Sequence, residues 1–299
     1  MYVNPYQNAL IGVDHGLKAN FHTHAGTGKG TCGHHEIHDV LESYQDAGYQ
    51  VLTISNHDLL TDMNQYGEEY DIVLINGYEY SMEPHMLCIG CDELCTGTHQ
   101  EAIDSCVEQG GFVILCHPNW IRKEYWPWKD IDNIRGFTGL EIYNHLIYRL
   151  EGSGLAVDTW DYILSKGRLA WGFGNDDFHR WQDLGRVWNI ILSPSRSKSD
   201  IISSIKSGSF YVSTGLLLSE FEFENNILKV SACFRNTYIK EYKYRFIGQD
   251  GRVLDTQTGE SGVYKLNGNE KYVRVEAIGE NGAMLWTQPV YNPDCFEKP

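Results

Sequence analysis

Basic residues are scarce in this chain, and so are long apolar runs. Lys and Arg number 24 against 40 Asp and Glu, which gives a formal net charge of −16. Binding the backbone of DNA or RNA needs clustered Lys and Arg, so a nucleic-acid polymer is not expected as a partner. No window approaches the roughly 20 apolar residues that span a bilayer. Residues 1–10 have neither a basic start nor an apolar stretch, so we expect a cytoplasmic protein without membrane contact.

The sequence also lacks the ligand spacing of a zinc finger. Its eight cysteines include a C-x2-C-x3-C run at Cys88, Cys91 and Cys95, but no fourth ligand follows at zinc-finger spacing. Cys88 lies in an apolar, strand-like stretch, which favours a core residue over a metal ligand. In a chain of this length without a secretion signal, the cysteines are expected to be reduced thiols.

What the chain does contain is an alternation of strand-like and helix-like segments from about residue 18 to 210. The candidate strands are Lys18–Thr23, Tyr49–Asn56, Ile72–Tyr80, Phe112–His117, Gly139–Tyr143, Leu169–Asn175 and Val187–Leu192. The candidate helices are Glu36–Ala47, Gln100–Gln109, Ala156–Ser165 and Ser199–Ser207. Repeated β-α units imply a parallel sheet, and seven of them predict a closed, TIM-like α/β barrel. Function would then collect at the carboxyl ends of the strands.

The pattern changes after about residue 214. The strands expected there, in which apolar and polar residues alternate, are Leu216–Glu224, Ile227–Phe234, Glu241–Ile247, Val263–Leu266, Tyr272–Ala277 and Ala283–Val290. Turn signals such as Asn267-Gly268 separate them. We therefore expect a barrel over residues 1–215, followed by a small antiparallel β-sandwich of unassigned role over residues 216–299.

Histidine is concentrated in the predicted barrel, and no histidine follows His179. His22 and His24 end the first strand at positions i and i+2, so both imidazoles point to one face and reach one metal ion. Asp177 and His179 repeat this spacing after the sixth strand. The further candidate ligands, at or just after other strand ends, are His57, Glu79, His85 and His117.

A lone histidine or carboxylate at a strand end is more often a hydrogen-bonded or capping residue than a metal ligand. Eight such side chains at five strand ends outweigh that alternative. Mixed imidazole and carboxylate ligands suit zinc, manganese or iron better than calcium or magnesium. Eight ligands are also too many for one tetrahedral ion, so the sequence predicts two or three divalent transition-metal ions.

Six short motifs carry these side chains in a specific order. They are H-T-H at 22–24, S-N-H-D at 55–58, G-Y-E at 77–79, H-M-L at 85–87, C-H-P at 116–118 and D-F-H at 177–179. Over residues 18–214 this order resembles the polymerase-and-histidinol-phosphatase (PHP) superfamily. The resemblance implies a distorted seven-stranded β/α barrel with up to three metal ions and, usually, phosphoester hydrolysis.

By position, the resemblance also implies how the ligands are shared. The first metal would be held by His22, His24, Glu79 and Asp177. The second would be held by Glu79, His85 and His117, with Glu79 bridging. The third would use His57 and His179 with one more ligand.

Lys29 stands where the further ligand of the third metal is expected. His34 or His35 would replace that ligand by folding back, but both more plausibly start the next helix. Lys29 would instead bind a substrate phosphate as a point charge. Arg122 and Arg180 are further candidates to hold a phosphate, with surface salt bridges as the alternative for each.

Two other groups of residues have two interpretations each. Glu141, which ends the fifth strand, either orients a metal-bound histidine or caps the strand. Trp120, Trp126 and Trp128 form either an aromatic wall beside the substrate or a packed lid, and packing is favoured.

Together these residues predict a metal-dependent phosphoesterase acting on a small anionic, phosphorylated substrate. A metal-activated water would attack phosphorus, Lys29 or an arginine would stabilise the developing charge, and His179 or Asp58 would protonate the leaving oxygen. One alternative is an amidohydrolase-like enzyme acting on a non-phosphate ester or amide, although Glu79 here replaces the carboxylated lysine that typically bridges the metals of such enzymes. The other is a metal-binding barrel that serves mainly as a binding module.

Overall fold

A computed structural model describes residues 1–26, 31–122, 125–235 and 241–297. The α-helices in these ranges are α1 (Ile37–Asp46), α2 (His99–Glu108), α3 (Trp128–Ile131), α4 (Val157–Ser165) and α5 (Lys198–Lys206). The strands up to residue 213 are β1 (Leu17–Asn20), β2 (Val51–Leu52), β3 (Val73–Leu74), β4 (Gly77–Tyr80), β5 (Met86–Ile89), β6 (Phe112–Leu115), β7 (Gly139–Asn144), β8 (Trp171–Asn175), β9 (Trp188–Ile191) and β10 (Phe210–Ser213). The later strands are β11 (Leu217–Glu224), β12 (Ile227–Cys233), β13 (Tyr242–Ile247), β14 (Val253–Gly259), β15 (Ser261–Lys265), β16 (Tyr272–Ile278), β17 (Met284–Thr287) and β18 (Val290–Tyr291).

The four helices expected from the sequence are confirmed, with each end within one residue of its predicted position. Their first turns show why the sequence marks them well. At α2, the Thr98 hydroxyl accepts from the Glu101 amide while the Glu101 carboxylate accepts from the Thr98 amide, a reciprocal cap. At α5, the Ser197 hydroxyl accepts from the Asp200 amide. No helix in the described ranges is long and apolar enough to cross a membrane.

The strands lie in three sheets. The largest has ten strands in the order β14-β13-β16-β17-β10-β9-β1-β2-β3, with β18 paired to β16. The second has the order β4-β5-β6-β7-β8, and the third has the order β11-β12-β15. The first two sheets carry the strands that the sequence assigns to a barrel.

The predicted closed, seven-stranded TIM-like barrel is wrong. Among the described residues, none of the three sheets closes on itself. Strands β1, β2 and β3 pair in parallel, as do β6, β7 and β8, but β9 is antiparallel to β1, and β5 is antiparallel to both β4 and β6. Residues 81–85 are the whole connection between β4 and β5. That is shorter than the crossover of about a dozen residues that a parallel pair needs, so a hairpin forms.

The predicted third strand, Ile72–Tyr80, is two strands in two different sheets. β3 pairs with β2 in the large sheet, whereas β4 pairs with β5 in the second. A Cβ atom at Gly77 would lie 2.8 Å from the Ile89 side chain and 2.9 Å from the Thr53 side chain. Glycine therefore lets the chain pass between these neighbours. This passage places Glu79 where the two sheets meet.

The C-terminal strands are antiparallel, and they continue the large sheet, because β17 pairs with β10. The three-stranded sheet packs over them around a core that includes Phe221, Val230 and Phe246. The division at residues 215 and 216 stays a prediction, since both parts contribute to one sheet.

Two buried contacts join the C-terminal strands to the earlier part of the chain. Arg274 on β16 donates to both carboxylate oxygens of Asp161 on α4, at 2.9 and 2.6 Å. The side-chain amide of Gln288 accepts from the backbone N–H of Gly172 at 2.9 Å and donates to its C=O at 2.7 Å. Because Gly172 lies at the start of β8, the end of the chain supports that strand directly.

Candidate metal centre

The structure brings the eight predicted ligand side chains together at the meeting of the two larger sheets. His22 and His24 follow β1, His57 follows β2, Glu79 lies in β4, His85 precedes β5, His117 follows β6, and Asp177 and His179 follow β8. Their nitrogen and oxygen atoms fall into overlapping groups, each held within 4.8 Å, that suit a metal ion. The predicted ligand side chains therefore lie close together although the predicted barrel is absent from the described residues.

Glu79 lies at the middle of this cluster and is almost fully buried. Its Oε2 atom is 3.2 Å from Nε2 of both His22 and His24 and 3.1 Å from Nδ1 of His57. Its Oε1 atom is 2.8 Å from Nδ1 of His85 and 3.4 Å from Nε2 of His117. One carboxylate thus joins two groups of imidazoles, which is the geometry of a bridging ligand.

Several of the closest atoms in the cluster approach one another without forming hydrogen bonds. Asp177 Oδ1 is 3.3 Å from His22 Nε2 and 3.4 Å from His24 Nε2. Both Asp177 Oδ1 and His22 Nε2 are buried, yet neither has a hydrogen-bond partner of acceptable geometry among the described residues. Buried polar atoms are rarely left in this state. Lone pairs that converge without bonding each other fit a divalent cation between them.

The charges in the cluster shift one another's pKa values. Burial lowers the pKa of His22, but the carboxylates of Asp177, Glu141 and Glu79 outweigh it and raise this pKa well above its ordinary value. Burial raises the pKa of Glu79, but His22 and His117 lower it well below its usual range. The carboxylates thus favour protonation of the imidazoles without a cation, and a bound divalent cation would displace protons from the nitrogens that face it.

Glu141 fixes the orientation of His22 from behind. Its Oε1 atom accepts from Nδ1 of His22 at 2.8 Å, and its Oε2 atom accepts from the backbone N–H of His117 at 2.8 Å. Asn144 and Asn175 donate to the same fully buried carboxylate. Because Nδ1 donates its proton to Glu141, Nε2 is the nitrogen of His22 that faces the cluster and would bind a cation. This arrangement fits the orienting role of Glu141 better than a strand cap.

Three of the candidate site residues have left-handed backbone conformations. The φ angles are 45° at Asp58, 31° at His117 and 50° at Asp177. Such a conformation costs on the order of 1–3 kcal/mol in a residue other than glycine, and it is concentrated at functional sites. At His117 and Asp177 this turn comes where the chain leaves a strand and the side chain joins the cluster.

A further ligand-type side chain, which the sequence reasoning missed, lies beside His57 and His179. Cys32 Sγ is 3.3 Å from His179 Nε2, and the ligand atoms of His24, Cys32, His57 and His179 all lie within 4.8 Å of one another. Burial raises the pKa of the Cys32 thiol, but the imidazoles of His179, His24 and His57 outweigh it and lower this pKa to about 4. The sequence did contain one indication of this role. Cys32 is flanked by Thr31 and Gly33, so it does not belong to an apolar strand as a core cysteine would.

His34 and His35, the two histidines considered as the further ligand of the third metal, do not belong to this group of ligand atoms. Lys29 is outside the described residues. His34 is exposed, and the ring of His35 stacks on Trp181 with centroids 3.9 Å apart. Both histidines precede α1, in agreement with their expected place at the start of that helix.

A cavity of about 260 Å³ opens beside the cluster. Among its lining residues are His57, His85, His117 and His179, together with Trp120 and Arg122. The Arg122 guanidinium is 5.4 Å from the Trp120 ring centroid and only 3.8 Å from the exposed carboxylate of Glu83. This ion pair with Glu83 is long and lies at the surface, where such pairs contribute little, and Arg122 lines the cavity as well.

Asp58 and Arg180, the remaining catalytic and substrate-binding candidates, do not line the cavity among the described residues. Asp58 is exposed, and its carboxylate accepts from the backbone N–H of Ser81 at 3.0 Å. Arg180 is also exposed and does not belong to the lining of the cavity among the described residues. Neither position gives a contact to the cavity, so their roles stay predictions.

The three tryptophans of the following loop differ from one another. Trp126 is buried and donates to the backbone C=O of His85 at 3.0 Å, and Trp128 stacks on Tyr162. These two residues pack, as favoured. Trp120 lies edge-on to His117 and lines the cavity, so it alone provides an aromatic wall among the three.

The C-x2-C-x3-C run lies in the core, away from the cavity. Cys88, Cys91 and Cys95 are all buried, and Cys91 Sγ is 3.0 Å from Cys106 Sγ. All eight cysteines of the chain are free thiols. The expectation of reduced, core-type cysteines is met by these three.

Comparison with known proteins adds no family to this geometry. No protein-family model matches the chain, and no curated protein matches its sequence. The resemblance to the PHP superfamily rests on the six motifs, and membership stays a prediction.

Proposed function

We propose that this protein is a metal-dependent phosphoesterase acting on a small phosphorylated substrate. The observation that carries the proposal is the position of Glu79, whose two oxygens face separate groups of histidines beside an open cavity. When bound, two divalent ions would supply Lewis acidity and lower the pKa of a water molecule, which gives a nucleophile near neutral pH.

The cavity supports an anionic substrate through Arg122. Among the residues that the structure describes, it is the cationic side chain, apart from histidine, that lines this space. A guanidinium matches the oxygens of a phosphate in a bidentate manner. The chain carries a net charge of −16, so a local cation is needed to admit a negatively charged substrate. Trp120 packs close to this guanidinium and restricts its position.

A metal analysis combined with a substrate panel tests the proposal. The purified chain is expected to contain zinc, manganese or iron and to hydrolyse phosphomonoesters or phosphodiesters. Glu79→Gln is expected to lower kcat/KM at least about 100-fold, because it weakens a ligand shared by two ions. His38→Ala is a matched control, since His38 is exposed on α1 and lies outside the cluster.

Each other outcome of the panel points elsewhere. A protein that holds no transition metal and is not activated by added manganese or zinc contradicts the proposal. Turnover of lactones or amides, but not of phosphoesters, favours the amidohydrolase-like alternative. Metal-dependent ligand binding without any turnover favours a binding module.

The compartment is also part of the proposal. All eight cysteines are free thiols, including Cys32 at the metal centre. Free thiols in this number are typical of a reducing compartment, so the cytoplasm is where we expect the reaction to take place.

A further inference from the structure

The group formed by His24, Cys32, His57 and His179 differs chemically from the rest of the metal centre. The other three groups each include a carboxylate oxygen of Glu79 or Asp177, in one case together with the thiol of Cys116, whereas this group offers only nitrogen and sulfur atoms. Sulfur and imidazole ligands favour zinc and other borderline or soft ions, and carboxylates favour harder ions such as manganese or magnesium. The cluster therefore contains positions of different metal preference.

One hydrogen bond orients the ring of His179 so that Nε2 faces the sulfur atom of Cys32. His179 Nδ1 is 3.0 Å from the backbone C=O of Asp177 and donates to it. Its other ring nitrogen, Nε2, then keeps a lone pair and lies 3.3 Å from Cys32 Sγ. A backbone carbonyl in this place is a common way to fix the tautomer of a ligating histidine.

Contacts on both sides of Cys32 hold this residue near the H-T-H motif. The backbone N–H of Gly26 donates to the C=O of His35 at 2.7 Å, and the Thr31 hydroxyl donates to the C=O of Gly26 at 2.6 Å. A Cβ atom at Gly33 would lie 2.7 Å from Cα of Ala25, so only glycine permits this close approach. The chain beside Cys32 is thereby held against the residue that follows the H-T-H motif.

We propose that Cys32 is the missing third ligand, and that its thiolate, with His57 and His179, holds a zinc-type ion beside the carboxylate-bridged pair. His24 borders this position and the first one. Three protein ligands with an open fourth position are typical of a catalytic zinc rather than a structural one. Both His57 and His179 line the cavity, so an ion held by them would lie beside the space proposed for the substrate.

This inference deepens the proposed function and rests on its metal binding, but not on phosphoester chemistry. It also bears on the proton donor. If His179 held an ion through Nε2 while its Nδ1–H donates to the backbone C=O of Asp177, neither ring nitrogen would be left to carry a proton to the leaving oxygen. Of the two proton donors named from the sequence, only Asp58 would then remain, and its side chain is not among the residues that line the cavity.

Cobalt substitution tests the thiolate ligand directly. The full-length chain is stripped of metal and titrated with Co²⁺, and the ultraviolet charge-transfer band of a cobalt–thiolate bond is recorded. Wild-type protein is expected to show the band, and Cys32→Ser to lose it together with one equivalent of bound cobalt per chain. Cys295→Ser, which changes a partly exposed thiol, is the matched control and is expected to keep both.

A second measurement protects the test against a folding defect in the variant. Wild-type protein is alkylated with iodoacetamide, with and without Zn²⁺, and each modified cysteine is identified by mass spectrometry. Zinc is expected to slow modification of Cys32 at least about tenfold and to leave Cys295 unchanged. An absent band in the wild type, a band that survives in Cys32→Ser, or alkylation of Cys32 that zinc does not slow overturns the proposal.

These results separate the two hypotheses. A cobalt–thiolate band that depends on Cys32, in a chain that hydrolyses no phosphoester, supports the metal site and counts against the proposed function. Phosphoesterase activity without such a band supports the function and overturns the site.

Discussion

His22 Nδ1 donates to Oε1 of Glu141 across 2.8 Å, and both side chains are fully buried. The pair turns the Nε2 lone pair of His22 toward Glu79 and Asp177. A carboxylate behind a histidine in this way raises the basicity of the ring as well as fixing its direction. We therefore expect metal binding to depend on Glu141, although Glu141 is not itself a candidate ligand.

Glu141→Gln tests that dependence. The amide keeps the size of the side chain but removes the negative charge, so we expect metal affinity to fall about 10–100-fold. Competition with a chromogenic chelator measures the change. Glu222→Gln, an exposed substitution on β11, should leave affinity unchanged. Equal affinities in wild type and Glu141→Gln would show that Glu141 only supports the fold.

Metal binding is expected to weaken as pH falls. Burial lowers the pKa values of His22 and His24, but the neighbouring carboxylates outweigh it and raise both well above the ordinary value. Below these raised pKa values, an imidazolium must lose its proton before its nitrogen binds a cation. The apparent affinity should therefore rise with pH and level off above them.

Calorimetry in two buffers of different ionisation enthalpy measures this coupling. At about pH 6 we expect protons to be released for each ion bound, and at higher pH fewer should be released. Affinity that is constant over this range, with no proton release, would mean that the histidines are already neutral in the metal-free chain.

Arg122 and Arg180 should behave differently, although the sequence treats them alike. Arg122 lines the cavity, so Arg122→Ala is expected to raise KM for a phosphorylated substrate about tenfold or more, with a smaller effect on kcat. Arg180→Ala should leave both constants near the wild-type values, because Arg180 is exposed away from that lining. If Arg180→Ala raised KM and Arg122→Ala did not, the substrate would bind near Arg180 and not in this cavity.

The buried Arg274–Asp161 pair is expected to dominate the attachment of α4 to β16. Asp161→Ala leaves a buried guanidinium short of its bidentate partner, so the free energy of unfolding should fall by about 3–5 kcal/mol. Urea denaturation measures this loss. Asp71→Ala, which removes the partner of Arg196 at an exposed position, should change much less. Replacing Asp161 and Arg274 together with Leu and Met should recover part of the loss.

The sequence predicts which side chains lie close together better than it predicts the fold around them. The spacing of His22 and His24 depends only on the two-residue repeat of an extended chain, and it survives any arrangement of sheets. The helices were found because their apolar faces, and the side-chain caps of α2 and α5, are local features of the sequence. Closure of the sheet is not local. Whether Ile72–Tyr80 stays one strand depends on the space around Gly77, which involves Thr53 and Ile89 from elsewhere in the chain.

Two further omissions have similar causes. Strand β14 was missed because it lies at the edge of the large sheet, where Val253 and Leu254 are exposed and no apolar alternation is required. Cys32 was missed because its role depends on a loop that returns to His179, more than a hundred positions later in the chain. A pattern of spacing along one strand cannot reveal a partner of that kind.

The amide of Gln288 meets Gly172 as a neighbouring strand would, with one donated and one accepted bond, although the two residues are 116 positions apart. Strand β8 begins at this contact and ends just before Asp177. The last part of the chain thus anchors the start of the strand that leads to Asp177, a candidate metal ligand. A fragment ending at residue 215 would lose this anchor, so we expect removal of residues 216–299 to disturb β8 and the position of Asp177.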